Sequence, residues 1–306
     1  MTFSNPVYDA NFPDPGVLKV GDTYYAYGTN DGARNVPLLT SKDLVRWSKP
    51  TEVLPELGGW VTPGHTWAPE VAQIADDRYV VYYTARSTTT NLQCVGAAVA
   101  DNPRGPFVDE SDTPLICEAD EGGSIDASPF RDADGSLYLH WKNDGNHIGV
   151  PTHLYGQRLA KDGLSLLGER VRLLTNHAAW HGKVIEAPQL HRRKDGYYLL
   201  YSANAYDADA YAVGYARCDG PLGPCHDAGE NPILASAKGA AGPGHCSMVV
   251  GPDGQDWLLY HAWPPDAIGS ADPGRQMWLD RVEWSDGKPV VRGPTADPQP
   301  APVQGR

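Results

Sequence analysis

Five short stretches of this 306-residue chain repeat one layout, and that repeat limits the possible folds more than any other feature. Each stretch places a polar residue in a small, largely uncharged run, followed by a tight turn and an apolar strand. Asp14 sits in Phe12-Pro13-Asp14-Pro15-Gly16 before Gly21-Asp22, and Glu70 in Trp67-Ala68-Pro69-Glu70-Val71 before Asp76-Asp77. Asp126 sits in Ser124-Ile125-Asp126-Ala127-Ser128-Pro129-Phe130 before Asp134-Gly135, and Glu186 in Val184-Ile185-Glu186-Ala187-Pro188 before Asp195-Gly196. His245 completes the series in Gly242-Pro243-Gly244-His245-Cys246 before Asp253-Gly254. The steps between them are 56, 56, 60 and 59 residues. Self-similarity at such a period marks a radial array of strand modules. Scarcely any segment keeps a helical period over three turns, so the reading is all-β: a five-bladed β-propeller with these five residues turned towards its axis.

A ring needs all its units to close, so the whole chain, 1–306, reads as one domain. Its blades fall roughly at 5–60, 66–115, 124–175, 183–235 and 244–292. The proline-rich tail, 294–306, cannot sustain a helix or a central strand and reads as irregular. A net charge of −13 and a pI near 5.1 exclude nucleic acid as a natural partner and suit a neutral or cationic one. No apolar run spans a bilayer, so no membrane partner is expected. Met1-Thr2-Phe3-Ser4-Asn5-Pro6 is not a signal peptide, so the expectation is a cytoplasmic protein, or a secreted one if a leader has been removed. The 16 Tyr and 9 Trp against 4 Phe suit sugar stacking and strand packing equally well. Five Cys make no disulfide framework; Cys218 and Cys225 flank a tight loop that could be bridged, and Cys246 reads as a buried thiol.

Like charges brought to one axis cost free energy, and metal binding or acid/base catalysis are the two common reasons to do so. Paired carboxyl groups with divergent proton affinities are the signature of glycoside hydrolysis. No nucleophile elbow, phosphate loop, dinucleotide fingerprint or zinc-protease motif competes with that reading. Glu70 fits a supporting role, holding the Trp67 loop or pairing with Arg86.

Taken together, the five motifs resemble glycoside hydrolase family 43 over residues 5–292. The resemblance implies a five-bladed propeller that cleaves pentose-containing plant glycans with inversion. It implies Asp14 as general base, Glu186 as general acid, and Asp126 as the third carboxylate that orients the acid and keeps it protonated. Arg275 resembles the fifth-blade arginine that reaches the terminal sugar. His245 resembles the axial histidine that touches a mostly water-ligated calcium (Ca2+) in the channel. Trp67, His65, Trp180 and Tyr206 are candidates for the pocket wall. One departure stands out: His181-Gly182 occupies a place where many members carry an acidic residue before the glycine.

The implied activity is exo-release of terminal β-D-xylose or α-L-arabinofuranose, with exo- or endo-α-1,5-L-arabinanase as the alternative. Two rivals are a non-catalytic sugar-binding propeller and a retaining hydrolase of fructose-containing sugars. Carboxyl separations of about 6.5–9.5 Å for inversion and about 5 Å for retention distinguish the last of these.

Overall fold

A computed structural model describes residues 1–303, and it is a five-bladed β-propeller. Each blade is an antiparallel meander whose first strand lies innermost. Blade I comprises Gly16–Val20, Thr23–Tyr27, Pro37–Ser41 and Thr51–Glu52. Blade II has three strands, Val61–Ala75, Arg78–Ser87 and Gln93–Ala100, with bridges at Val108 and Ile116 standing in for the fourth. Blade III is Ser124–Arg131, Leu137–Asn143, His153–Leu159 and Leu166–Thr175. Blade IV is Ile185–Arg193, Gly196–Ala203, Ala212–Cys218 and Cys225–Asp227, and blade V is Ala241–Val250, Asp256–Trp263, Gln276–Ser285 and Lys288–Val291. Among the described residues, helix is confined to three single turns.

The second strands read as apolar runs because neighbouring blades cover both their faces. Five apolar clusters fill the five gaps between blades. Tyrosine dominates them: Tyr27, Tyr82, Tyr198, Tyr201 and Tyr260 are essentially fully buried. Their rings pack and their hydroxyls reach acceptors at the cluster edge, such as Pro103 O (2.7 Å), Gly163 O (2.7 Å) and Asp280 Oδ2 (2.6 Å). The tyrosine excess therefore serves mainly the gaps between blades.

Blade V meets blade I at a seam that the two chain ends close. Thr2–Phe3 pairs with Gln299–Pro300, so the tail read as irregular carries a two-residue strand there, tied down by Gln299 Nε2 donating to Asp280 Oδ1 (2.9 Å). Residues 304–306 lie outside the described residues. Tyr8 bridges Met277, and Asn5 donates to Leu279 O (2.9 Å) while accepting from Leu279 N (2.8 Å). Two disulfides, Cys94–Cys117 and Cys218–Cys225, tie blades II and IV, and Cys246 is free and buried.

Candidate active site

One non-glycine residue per blade, at or just before the innermost strand, adopts a left-handed backbone: Asp14 (φ 56°), Ala68 (42°), Asp126 (58°), Ala187 (53°) and His245 (46°). In blades II to V the pairing with the second strand skips at these points. A bulge of this kind bends the strand and re-aims its side chains. Left-handed geometry costs an L-residue roughly 1–2 kcal/mol, so something must hold it. In four blades the freed N–H is taken by a side chain of the preceding blade: Thr29 Oγ1 for Ala68 (2.9 Å), Thr84 Oγ1 for Asp126 (3.1 Å), Ser202 Oγ for His245 (2.8 Å), and His261 Nδ1 for Asp14 (3.2 Å). In blade IV, Ala187 N instead donates to Asp126 Oδ2 (3.0 Å).

This ring corrects the phase of the sequence repeat. The structural counterparts of Asp14, Asp126 and His245 are Ala68 and Ala187; Glu186 lies one residue before its bulge and Glu70 two after. Glu70 consequently faces a second cavity with Pro129, Gln189 and Met248. It accepts from Ser128 Oγ (3.0 Å), and Arg86 Nε has no partner among the described residues. Gly16 leaves room for it, since a Cβ there would lie 2.8 Å from Glu70 Cγ. Burial, only partly offset by His245 and the Ser128 bond, pushes the Glu70 carboxyl up to about 7. A raised folded-state pKa gives stability that is full below the unfolded value near 4.3 and is lost as pH rises through 7. Glu70→Gln keeps the Ser128 bond and removes the titration. Its melting temperature relative to wild type should therefore rise steadily between about pH 4 and 8, and a pH-independent difference would refute the assignment.

Asp14, Asp126 and Glu186 line one axial cavity of about 330 Å³, together with Trp67, Tyr206, Arg275 and His245. A larger cavity of about 640 Å³ lies at the outer edge of blade II, where no carboxylate set converges with a cation and aromatics as it does on the axis. Asp14 is buried, with Arg275 Nη1 2.7 Å from Oδ1, Thr29 Oγ1 donating to Oδ2 (2.6 Å) and His245 Nδ1 at 3.4 Å. His261 Nδ1 lies close to both the Asp14 amide (3.2 Å) and Oδ1 (3.1 Å) and can serve only one. Burial pushes this imidazole down to about 4, so it is neutral, and the other bulges show the amide bound to an acceptor in the same way. We assign Nδ1 as that acceptor. Burial alone would raise the Asp14 carboxyl, yet the Arg275 guanidinium, with His245, outweighs it and holds it well below the usual range.

Across the cavity, Tyr211 donates to Glu186 Oε1 (2.7 Å) and Lys142 Nζ lies 3.3 Å from Oε2. Burial and the Glu186 and Asp14 charges raise Asp126, against His245 and Lys142, to about 6. Its Oδ2 holds the backbone of Ala187, next to Glu186.

Two expected wall residues stand elsewhere. His65 is absent from the cavity lining and only its carbonyl is engaged, by Gln93 Nε2 (3.2 Å). Trp180 packs inside blade IV, 5.6 Å from the Tyr201 ring and directly over Gly214. Next to it, His181 accepts from the His177 and Ala178 amides and pairs with Tyr201 OH (2.9 Å), so the departure at this position serves a blade IV network. Tyr206 lies at the rim, 48% exposed, with the Arg275 guanidinium 4.7 Å from its ring centre.

Calcium takes six to eight oxygens. His245 offers nitrogen, both Asp14 oxygens are already engaged, and among the described residues no three His, Cys, Asp or Glu side chains cluster as ligands. These side chains alone form no calcium cage; the expected ion, held mostly by water beside His245, does not depend on one, and no step below is routed through a metal.

Sequence reasoning missed Lys142, Tyr211, His261 and Thr29. Lys142 directly follows the apolar run Leu137–Trp141 and passes in the sequence for the start of a polar turn, whereas the strand continues through it to Asn143.

The geometry agrees with the comparisons. The family model described as glycosyl hydrolases family 43 matches residues 3–289. A xylosidase/arabinosidase of Butyrivibrio fibrisolvens is 27% identical, over 94% of this chain and 56% of its own length. An extracellular endo-α-(1→5)-L-arabinanase of Bacillus subtilis is 28% identical, over 76% of this chain and 55% of its own. The chain thus spans little more than half of either relative. A crystal structure of a thermostable family-43 glycoside hydrolase superposes with a TM-score of 0.90 at 33% identity, covering 99% of this chain and all of the other. With the propeller, the axial carboxylates and a family match over nearly the whole chain in agreement, this protein belongs to glycosyl hydrolase family 43.

Proposed function

We propose that the chain is an inverting, exo-acting glycosidase that releases terminal β-D-xylose or α-L-arabinofuranose from hemicellulose-derived oligosaccharides. The observation that carries this reading is the convergence of three carboxyl groups on one axial cavity that also holds an arginine and aromatic side chains. Asp14 is clamped as an anion by Arg275, while Glu186 is held by the phenol of Tyr211. Asp14 takes a proton from water as the water oxygen bonds to the anomeric carbon. Glu186 gives its proton to the glycosidic oxygen as the opposite C–O bond breaks. The water attacks from the face opposite the leaving group, so the configuration inverts. Asp126 fixes the Ala187 amide and thereby the backbone that carries Glu186.

A cavity of about 330 Å³ is at the small end of ligand sites and suits one terminal ring. Trp67 and the Tyr206–Arg275 pair supply an aromatic face and a planar cation to hold it. The endo-arabinanase among the relatives favours a second reading, attack within an arabinan chain. Xylotriose, arabinotriose and the parent polymers, digested and analysed by NMR and chromatography, test both. Inverted monosaccharide as the first product is expected; early mid-length products would support the arabinanase reading, and a retained anomer would overturn inversion.

A further inference from the structure

Every blade sets one side chain opposite the residue that precedes the bulge. Thr29 faces Pro13, Thr84 faces Trp67, Lys142 faces Ile125, Ser202 faces Glu186, and His261 faces Gly244. Four of the five accept the N–H of the next bulge. Lysine has three donors and no acceptor, so it cannot do that work. Ala187, the bulge it should serve, turns to Asp126 instead. The ring is thus broken at one station, the one beside Glu186.

Lys142 is fully buried, and burying an ammonium without partners is expensive. Its Nζ meets three oxygens: Asn146 Oδ1 (2.6 Å), Glu186 Oε2 (3.3 Å) and Asp144 Oδ1 (3.5 Å). Burial would lower its proton affinity, but the carboxyl groups around it, Glu186 in its ionised form together with Asp144 and Asp126, outweigh that and raise it, and Asp144 and Asn146 hold the ammonium while Glu186 carries its proton. The turn after the strand presents two of these partners, and Asn143 anchors it by accepting from His153 N (2.6 Å) and donating to Pro151 O (3.1 Å).

We propose that Lys142 is a positioning residue for proton donation: it holds the Glu186 carboxyl in place and stabilises the carboxylate that forms as the proton leaves. The proposal rests on Glu186 being the general acid. In the step itself, the proton passes from Glu186 to the glycosidic oxygen, the bond to the anomeric carbon breaks, and a negative charge appears on Glu186 3.3 Å from the ammonium. Lys142 neither gains nor loses a proton. An ion pair formed only as charge develops stabilises the transition state more than the bound substrate. The help matters most when the departing oxygen is a poor leaving group, as in a sugar, and least for nitrophenolate, which leaves with little protonation.

The test compares Lys142→Met and Lys142→Gln with wild type on xylobiose or arabinobiose and on the matching nitrophenyl glycoside. We expect kcat/KM to fall about 10²-fold or more on the disaccharide and less than about 10-fold on the nitrophenyl glycoside. The loss should lie in kcat, and the alkaline limb of the kcat/KM profile should move to higher pH because a neighbouring cation has gone. Lys142→Arg, which keeps the charge, should keep the limb near its wild-type position. Equal losses on both substrates with an unmoved limb would mark a purely structural lysine and overturn the proposal. Glu186→Gln in parallel separates the two assignments. If it shows the same leaving-group dependence while the Lys142 variants do not, Lys142 alone is refuted; if it shows none, the acid assignment fails instead. Both neutral variants should keep the wild-type near-ultraviolet dichroism, and if both lose it the residue is structural and the proposal falls.

Discussion

Glu186→Gln and Asp14→Asn are each expected to lower kcat/KM on an oligosaccharide by about 10²–10⁴-fold, the usual cost of removing a general acid or base. The two losses should differ in character. Without Glu186 the sugar leaving group must depart as an alkoxide, whereas a nitrophenyl glycoside is partly spared. Without Asp14 no group takes the proton of the attacking water, and both substrates suffer alike. Asparagine can keep its one acceptor oxygen on Arg275 and turn its Nδ2 to donate to the Thr29 hydroxyl, so Asp14→Asn should fold. It should nonetheless be less stable at neutral pH. A carboxyl whose folded pKa is depressed contributes stability above its unfolded value near 3.9 and loses it as pH falls through the folded value. The stability gap between wild type and variant should therefore be open at pH 7 and close below about pH 4. A near-normal rate from either variant on an unactivated oligosaccharide would remove that residue from the mechanism.

Arg275→Ala should produce the next largest effect, through Asp14. The guanidinium is the first of the charges that outweigh burial there, and it is mostly buried itself. Removing one partner of a buried pair typically costs about 3–5 kcal/mol. The same energy acts on the proton equilibrium: with Arg275 gone, burial raises the Asp14 carboxyl, and the base becomes protonated at a higher pH. The acid limb of kcat/KM should move upwards, activity at neutral pH should fall about 10²-fold, and KM should rise as Tyr206 loses its cation. Arg275→Lys should recover only part of this, because an ammonium cannot present two planar N–H groups while stacking on the ring. An unmoved acid limb would show that Asp14 does not depend on Arg275.

The five-fold plan was legible because a blade is a local object: an inner strand, a tight turn and an apolar strand all lie within about twenty residues of one another. The placement of Asp14, Asp126 and Glu186 in one cavity followed from that plan. The true phase was not legible, because counting residues does not reveal a bulge. Glu70 looks like the counterpart of Asp14 in the string, and only the left-handed backbone at Ala68 shows that it is displaced towards the other cavity. His65 and Trp180 were drawn in by nearness in sequence to the motifs, but strand alternation and the gaps between blades decide where such rings point. Lys142 was missed for the converse reason. Its significance appears only when hairpin register aligns it with Thr29, Thr84, Ser202 and His261, and no single segment contains that alignment. The Cys218–Cys225 pair spans a short loop, so its bridge stood open as a possibility, whereas Cys94–Cys117 joins a strand to a distant connection and has no local signal.

The seam between blades V and I has a consequence in time. Asp14 is translated early, yet Arg275 is 261 residues away in the chain and His261 is 247 away. Contacts of that separation must await closure of almost the entire polymer, and such non-local pairing is the slow part of folding. Blades II to IV can order themselves and bring Glu186 to Lys142 and Tyr211 while the base is still outside the cavity. The event that completes the ring carries Asp14 onto the axis and supplies the Arg275 charge that keeps it ionised once buried, so an unfinished or opened molecule is also an inert one.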